Sequence, residues 1–334
     1  MRLPRPPTRR SLLTGVLAGG LYGLSARLLA HDLGGAAIVM TFSFILVVPL
    51  VMGVIAVWRT EALTAWKRAL LPWGSVLIAV AVSALLSLEG AICLIMALPV
   101  MLAGATIGGF AEQLVRRFLR GRTASGFALV AVLALPWVSG SLERRETPAI
   151  DVRRVDSRIE VAASPAAIWD RIASVAEVRP EERHASPIHW IGFPHPLAAT
   201  LSRPGVGGVR RATFERGLTF IETITEWRPQ RALAFAFHAN TDSIPRTTLD
   251  AHVTVGGEFF DVLEGRYEIV PLAPGRCELR LSSRHRLSTR INPYAALWSD
   301  FVMGEIQRTI LAVIRDRCEA APAGSRARGG TPEQ

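Results

Sequence analysis

Five long apolar runs fill the first 142 residues, at about 11–30, 34–58, 73–88, 91–110 and 123–142. A helix needs about 20 mostly apolar residues to cross roughly 30 Å of hydrocarbon. Four runs meet that length, and 73–88 meets it once its flanking turns are counted. Lipid offers the backbone no hydrogen-bond partners, so spanning runs must be helical. Pro49, Pro99 and Pro136 do not oppose this, because bundle neighbours re-satisfy freed carbonyls. One cleaved signal peptide cannot account for five runs. The expectation is an all-α transmembrane bundle of about five helices, preceded by a basic tail at 1–10.

After a linker at 143–155 the pattern changes. Residues 156–162 alternate as a strand, and 164–175 read as a helix with Ser164 as N-cap and Pro165 at the first helical position. A polar stretch rich in Pro and Gly runs through Gly208. Short strand-like runs follow at 209–214, 218–227, 232–238, 265–272 and 277–287, broken by turn chemistry at Arg228-Pro229-Gln230 and Ala273-Pro274-Gly275. One long amphipathic helix at about 294–319 comes last, before a tail at 320–334 expected to be disordered. A curved antiparallel sheet cannot bury its concave face alone, and a long helix laid across it does so. This order of elements predicts an α+β helix-grip domain at 156–319.

Charge sharpens the picture. The formal balance is +10, yet residues 1–142 carry 12 Lys+Arg against 4 Asp+Glu, and the remainder 26 against 24. A nucleic-acid binder concentrates its basic residues on a water-soluble domain, so that class is set aside. Eleven of the twelve basic residues in the apolar half fall in three alternate segments. These hold Arg2, Arg5, Arg9 and Arg10; then Arg59, Lys67 and Arg68; then Arg116, Arg117, Arg120 and Arg122. By the positive-inside rule they mark the cytoplasmic side of an inner-membrane bundle. Five spans then put the C-terminal domain on the outer, periplasmic side. Arg144, Arg145, Arg153 and Arg154 pull the other way: a re-entrant fifth run would place that domain in the cytoplasm.

Ile159-Glu-Val-Ala-Ala-Ser-Pro-Ala-Ala-Ile-Trp-Asp170 resembles the opening strand and helix of the START/Bet v 1-like (SRPBCC) superfamily, including its polyketide cyclase/dehydrase-like branch. Glu222-Thr-Ile-Thr-Glu-Trp-Arg-Pro229 with 232–237 resembles that branch's central hairpin. Gly265-Arg-Tyr-Glu-Ile-Val-Pro-Leu272 and Asn292-Pro-Tyr-Ala-Ala-Leu-Trp-Ser-Asp300 resemble its late strands and terminal helix. The resemblance covers 156–319, leaves the membrane half outside, and is poorest over 240–261. It implies a domain that binds a hydrophobic small molecule or lipid, and carries over no catalytic signature.

Alternation names the inward set. On 277–287 one face is Cys277, Leu279, Leu281, Ser283 and His285, opposite Arg276, Glu278, Arg280, Ser282 and Arg284. Leu233, Phe235, Phe237 and Tyr267 are inward on their strands. Strand 218–227 is ambiguous, since Phe220/Glu222/Ile224 and Ile221/Thr223/Trp227 are both partly apolar. Trp298, Val302, Ile306, Ile310 and Val313 form a stripe on the last helix that would roof the cavity. The ligand-binding set is thus Leu233, Phe235, Phe237, Tyr267, Leu281, Ser283, His285, Trp298 and Val302. Glu222 and His285 are the candidates should the domain be a membrane-anchored cyclase/dehydrase-like enzyme, as general base and orienting group. A third reading is a sensing or permeation bundle regulated by the soluble domain, with Glu89 either on an ion path or in a turn. No cofactor is expected. His184, His189 and His195 have spacings that suit no standard metal pair. Gly15, Gly19 and Gly23 form a small-residue row for packing within the bundle or between copies. Cys277 and Cys318 stand far apart in sequence, and whether they pair is open.

Topology is directly measurable. A periplasm-active reporter fused at Arg145 is expected to be active and a cytoplasm-active one silent; the reverse pattern would move the C-terminal domain to the cytoplasm.

Overall fold

The computed structural model describes residues 8–34, 36–58, 60, 63–119, 125–239 and 255–320. Arg2, Arg5, Arg59, Arg120, Arg122, the tail from 321 and most of the 240–261 stretch therefore lie outside the described residues. The chain divides into two compact units, one built on the first 150 residues and one on the helix-grip segment.

In the first unit the helices are α1 (Arg9–Gly34), α2 (Ala36–Val39), α3 (Val48–Val57), α4 (Ala65–Leu85), α5 (Ala91–Leu119) and α6 (Ser125–Glu143). Three stretches are long and apolar enough to cross a membrane, at Arg9–Ala30, Ala65–Leu85 and Ile92–Val115; Ser43–Val57 and Val130–Glu143 are shorter apolar helices. The run at 34–58 is not one helix. It breaks after Val39 and resumes through a π-helical turn at Ser43–Val47, where the Ser43 N–H donates to Glu143 Oε1 at 2.9 Å. The third run starts eight residues earlier than expected, so Trp66, Lys67 and Arg68 belong to α4 instead of the loop before it. The fourth extends to Leu119, which draws Arg116 and Arg117 into α5.

Helix α1 packs on α3 and α4, and α3 and α4 pack on α5. The glycine row of α1 is used inside this bundle: a Cβ at Gly15 would lie 2.2 Å from the Ala56 carbonyl oxygen, and one at Gly19 2.6 Å from Ser75 Oγ. Buried charges are paired. Glu89 sits in the turn after α4 with its carboxylate on Arg27, whose Nη2 also donates to the Leu88 carbonyl at 2.7 Å. Arg68 Nη1 donates to Glu112 Oε2 at 2.6 Å. Leaving either partner alone in an apolar interior would cost several kcal/mol, roughly 3–5. Glu112 has no counterpart among the sequence candidates.

The second unit holds a seven-stranded antiparallel sheet among the described residues, ordered β1-β7-β6-β5-β4-β3-β2. The strands are β1 (Asp151–Val161), β2 (Pro196–Leu201), β3 (Val209–Phe214), β4 (Thr219–Arg228), β5 (Ala232–Ala239), β6 (Phe260–Ala273) and β7 (Arg276–Leu287). Strand β1 begins five residues before the expected domain start, so Arg153 and Arg154 are strand residues instead of linker. Strand β2 was hidden in a Pro-rich stretch; it is an edge strand opening on Pro196, where a missing N–H is tolerated. Bulges at Ile224/Glu226, Val262/Glu264 and Pro271/Ala273 bend the sheet. Helix α7 (Pro165–Ala173) is capped as expected, Ser164 Oγ accepting from the Ala167 N–H at 3.3 Å. A short helix α8 (Pro187–Trp190) precedes β2, and α9 (Asn292–Glu319) ends the domain.

The core lies between sheet, α7 and α9. Ile168 and Ile172 of α7 and Leu311, Ile314 and Cys318 of α9 meet Val161, Ile224, Leu233, Phe235, Tyr267, Ile269, Leu279 and Leu281. Cys277 and Cys318 are both free thiols in this core. One close approach sets its aromatic part. Gly265 on β6 lies opposite Phe235 on β5, and a Cβ there would meet the Phe235 ring at 2.6 Å and Phe237 at 3.3 Å. Gly265→Ala is therefore expected to destabilise the domain by about 1–3 kcal/mol through overpacking, with most of the loss restored by adding Phe235→Leu. Thermal melts of the full chain in detergent check this; an unshifted midpoint for Gly265→Ala would contradict the packing.

Candidate functional site

Strands β3 to β6 carry a chain of aromatic contacts on the sheet's inner face, three edge-on and the last, Phe235 to Tyr267, tilted. Phe214 meets Phe220 with centroids 5.4 Å apart, Phe220 meets Phe237 at 5.9 Å, Phe237 meets Phe235 at 5.2 Å and Phe235 meets Tyr267 at 6.1 Å. Phe235 and Tyr267 are buried, whereas Phe237, Phe220 and Phe214 are only half-buried. The aromatic row thus begins under the core and runs out toward solvent on the β3 side.

The ambiguity of β4 resolves through its bulge. Phe220, Glu222 and Ile224 face inward; after the bulge the phase shifts, and Trp227 packs on the core edge-on to Trp169 at 4.9 Å. Both alternating sets were partly apolar because each supplies inward residues on one side of the bulge.

Glu222 is buried, and its Oε2 accepts from Arg210 Nη1, the residue directly across on β3. The Arg210 guanidinium also stands 5.5 Å from the Phe235 ring centroid and beside Tyr267. Burial pushes the Glu222 carboxyl up, against the pull of Arg210. Burial also works against the Arg210 charge, but Glu222 and Tyr267 outweigh it and hold the guanidinium protonated. Arg210 Nε has no hydrogen-bond partner among the described residues.

His285 lies on the buried face of β7, wholly shielded from solvent. Its Nε2 is 2.9 Å from Ser299 Oγ and 3.6 Å from Asp300 Oδ1, both on α9. Asp300 is clasped by Arg153 of β1, with Nη2 to Oδ2 at 2.6 Å and Nε to Oδ1 at 2.9 Å. Burial drives the His285 pKa down, which keeps the ring neutral near pH 7. Two residues along, Ser283 Oγ accepts from Gln307 Nε2 at 2.7 Å, and the same amide donates to the Val155 carbonyl at 3.0 Å.

Glu222 and His285 are not brought together. Three strand spacings separate β4 from β7, roughly 14 Å along a sheet, and each residue is engaged by its own neighbours. Leu233, Phe235, Tyr267 and Leu281 join the core, with Phe237 packed against it. Trp298 is not buried beneath the helix; it is half-exposed and stacks edge-on with Phe301, centroids 6.4 Å apart. Val302 is buried outside the main core cluster. The stripe of α9 that meets the sheet is centred on Gln307, Leu311, Ile314 and Cys318; of the expected Trp298–Val302–Ile306–Ile310–Val313 line, Ile310 packs against this core and Val302 and Val313 are buried outside it. A glutamine in the contact row disguised its centre. His184 pairs with Asp316 at 2.7 Å, and His189 stacks on His195 with centroids 3.6 Å apart. Sequence reasoning missed Arg210, Gln307 and Asp300. Arg210 was detectable as a charge in the apolar phase of Val209–Phe214, between exposed Val209 and Arg211.

No family model and no curated protein matches the chain. Solved structures do, over about half of it. They include a START superfamily protein from Mycobacterium smegmatis, 17% identical, covering 50% of this chain and 97% of its own, at a TM-score of 0.33. The Zhui aromatase/cyclase from a Streptomyces species is 16% identical and covers 51% of this chain and 94% of its own, at a TM-score of 0.32. Norcoclaurine synthase from Thalictrum flavum is 14% identical, covers 52% and 90%, and also scores 0.32.

The buried pair makes a sharp test. Arg210→Met strands Glu222 in the interior and is expected to cost about 3–5 kcal/mol, whereas Arg210→Met with Glu222→Leu should recover most of that loss. Denaturant midpoints of the three chains measure it; additive losses in the double variant would contradict the pairing.

Proposed function

We propose that this is an integral membrane protein whose helix-grip domain binds a hydrophobic small molecule or lipid against the inner face of its sheet. The observation that carries the reading is the half-buried end of the aromatic row. Phe237, Phe220 and Phe214 point to the inner face, yet they are not closed over as Phe235 and Tyr267 are. Apolar surface left accessible inside a concavity is the usual lining of a small-molecule site, with a few polar groups to orient the ligand. Arg210 supplies one such group beside Phe235.

The membrane part of the proposal extends the three long apolar helices to five spans, with Ser43–Val57 and Val130–Glu143 as the shorter pair. Their outer surfaces support it: Leu13, Leu17, Leu21, Leu77 and Ile107 are exposed on α1, α4 and α5, where lipid tails would cover them at no desolvation cost. The N-terminus is then cytoplasmic and the helix-grip domain lies on the outer side.

Full-length protein purified in detergent and extracted with solvent should release a defined apolar species in near-stoichiometric amount by mass spectrometry. A Phe237→Glu chain, which places a charge in the aromatic row, should release less than about a tenth as much. Identical extracts from the two chains would overturn the reading.

A further inference from the structure

Two buried acceptors on the inner side of the grip lack a donor. Gln307 is 2% exposed, and its amide orientation is fixed, because the atom facing the Val155 carbonyl must be the donating Nε2. Its Oε1 is buried and has no partner among the described residues. His285 presents the same condition. Its Nε2 faces Ser299 Oγ and the Asp300 carboxylate, and the serine hydroxyl already donates to the Ala296 carbonyl at 3.3 Å. The Asp300 carboxylate on that side favours the tautomer with the ring proton on Nε2, and the ring is assigned that tautomer. The neutral ring leaves Nδ1 as a bare lone pair, buried and also without a partner. Ser283, which bonds Gln307, and His285 are two residues apart on one face of β7, about 7 Å.

Buried acceptors without donors are costly and rare in folded proteins. We propose that this stretch of β7 and α9 selects for a hydrogen-bond donor: the ligand is an apolar molecule bearing a hydroxyl or N–H group, received by His285 Nδ1 and Gln307 Oε1. The inference rests on the domain taking apolar ligands and adds which of them it prefers. A hydrocarbon or an ether of the same size leaves both acceptors unpaired and is discriminated against, as sites built to bond a hydroxyl reject analogues lacking it.

The test uses the full chain in amphipol and two fluorescent probes, 1-aminoanthracene and 1-(dimethylamino)anthracene, which share a ring system and differ in N–H donors. The parent chain should bind the amine about tenfold more tightly. His285→Phe and Gln307→Met should each shrink that ratio below about threefold while holding the affinity for the dimethyl probe within about twofold. General damage to the fold would instead weaken both probes together. Equal affinity of the parent for the two probes would overturn the proposal without reference to any variant, and would mean that the acceptors are served by water. A ratio unchanged in both variants would overturn the assignment to these atoms. Failure of both probes to bind at all would overturn the apolar-ligand reading itself, and the donor preference with it.

Discussion

A single helix is too narrow for the sheet it must cover. Seven strands at about 4.8 Å spacing span roughly 29 Å between the outermost pair, whereas a helix with its side chains is about 10–12 Å across. Helix α9 therefore closes the core only along part of the width, through Leu311, Ile314 and Cys318, with α7 adding Ile168 and Ile172. What remains of the inner face must be filled by its own side chains or by something else. The large aromatic side chains follow from that need: Phe235 and Tyr267 fill space where helix and sheet meet, and Phe237, Phe220 and Phe214 continue the row as half-buried rings. Gly265 belongs to the same solution, since only an absent Cβ leaves the two β5 rings their room.

The polar groups inside the domain fall into two kinds. Arg210–Glu222, which is buried, and Arg153–Asp300, which is partly exposed, are pairs, each holding charge against charge across neighbouring elements. A pair of that kind tolerates burial and is poorly placed to act as a free acid or base. The unmatched atoms are different: Arg210 Nε still offers a proton, while Gln307 Oε1 and His285 Nδ1 still offer lone pairs. Unmatched groups of opposite character at separate places suit recognition of a ligand with a defined orientation better than chemistry at one point. The wide separation of Glu222 and His285 argues the same way.

How much of this was legible in the sequence depended on the kind of pattern involved. Strand β7 has no bulge on its own side and alternates over twelve residues, so the inward positions of Leu281, Ser283 and His285 could be read directly. Strand β4 could not be read, because one extra residue at its bulge swaps the faces midway. The α9 contact stripe was only partly legible: Ile310, Val302 and Val313 are buried or packed as expected, but the centre of the row was missed because Gln307 occupies a core position, and hydropathy has no way to value an amide whose partners come from β1 and β7. In the apolar N-terminal half, composition marked the apolar runs, but the break near Thr41 and the early start of α4 depend on tertiary partners. Glu143 serves the π-helical turn and Glu112 neutralises Arg68, each from a distant helix.

The arginine-rich character of the domain finds its explanation on the outer face of the sheet. Glu264 lies directly opposite Arg284 and bonds it at 3.0 Å; Arg280 meets Glu278 on its own strand and Glu268 across on β6; Arg266 reaches Glu226 at 2.9 Å. Exposed pairs of this sort contribute little stability each, about 0–1 kcal/mol. Their consequence is for interaction: alternate signs in register cancel the field that a run of arginines would otherwise project. A polyanion approaching this face meets carboxylates as often as guanidinium groups, and the 26 basic and 24 acidic residues of 143–334 leave the inner face, where the charges are paired and the surface is aromatic, as the distinctive one.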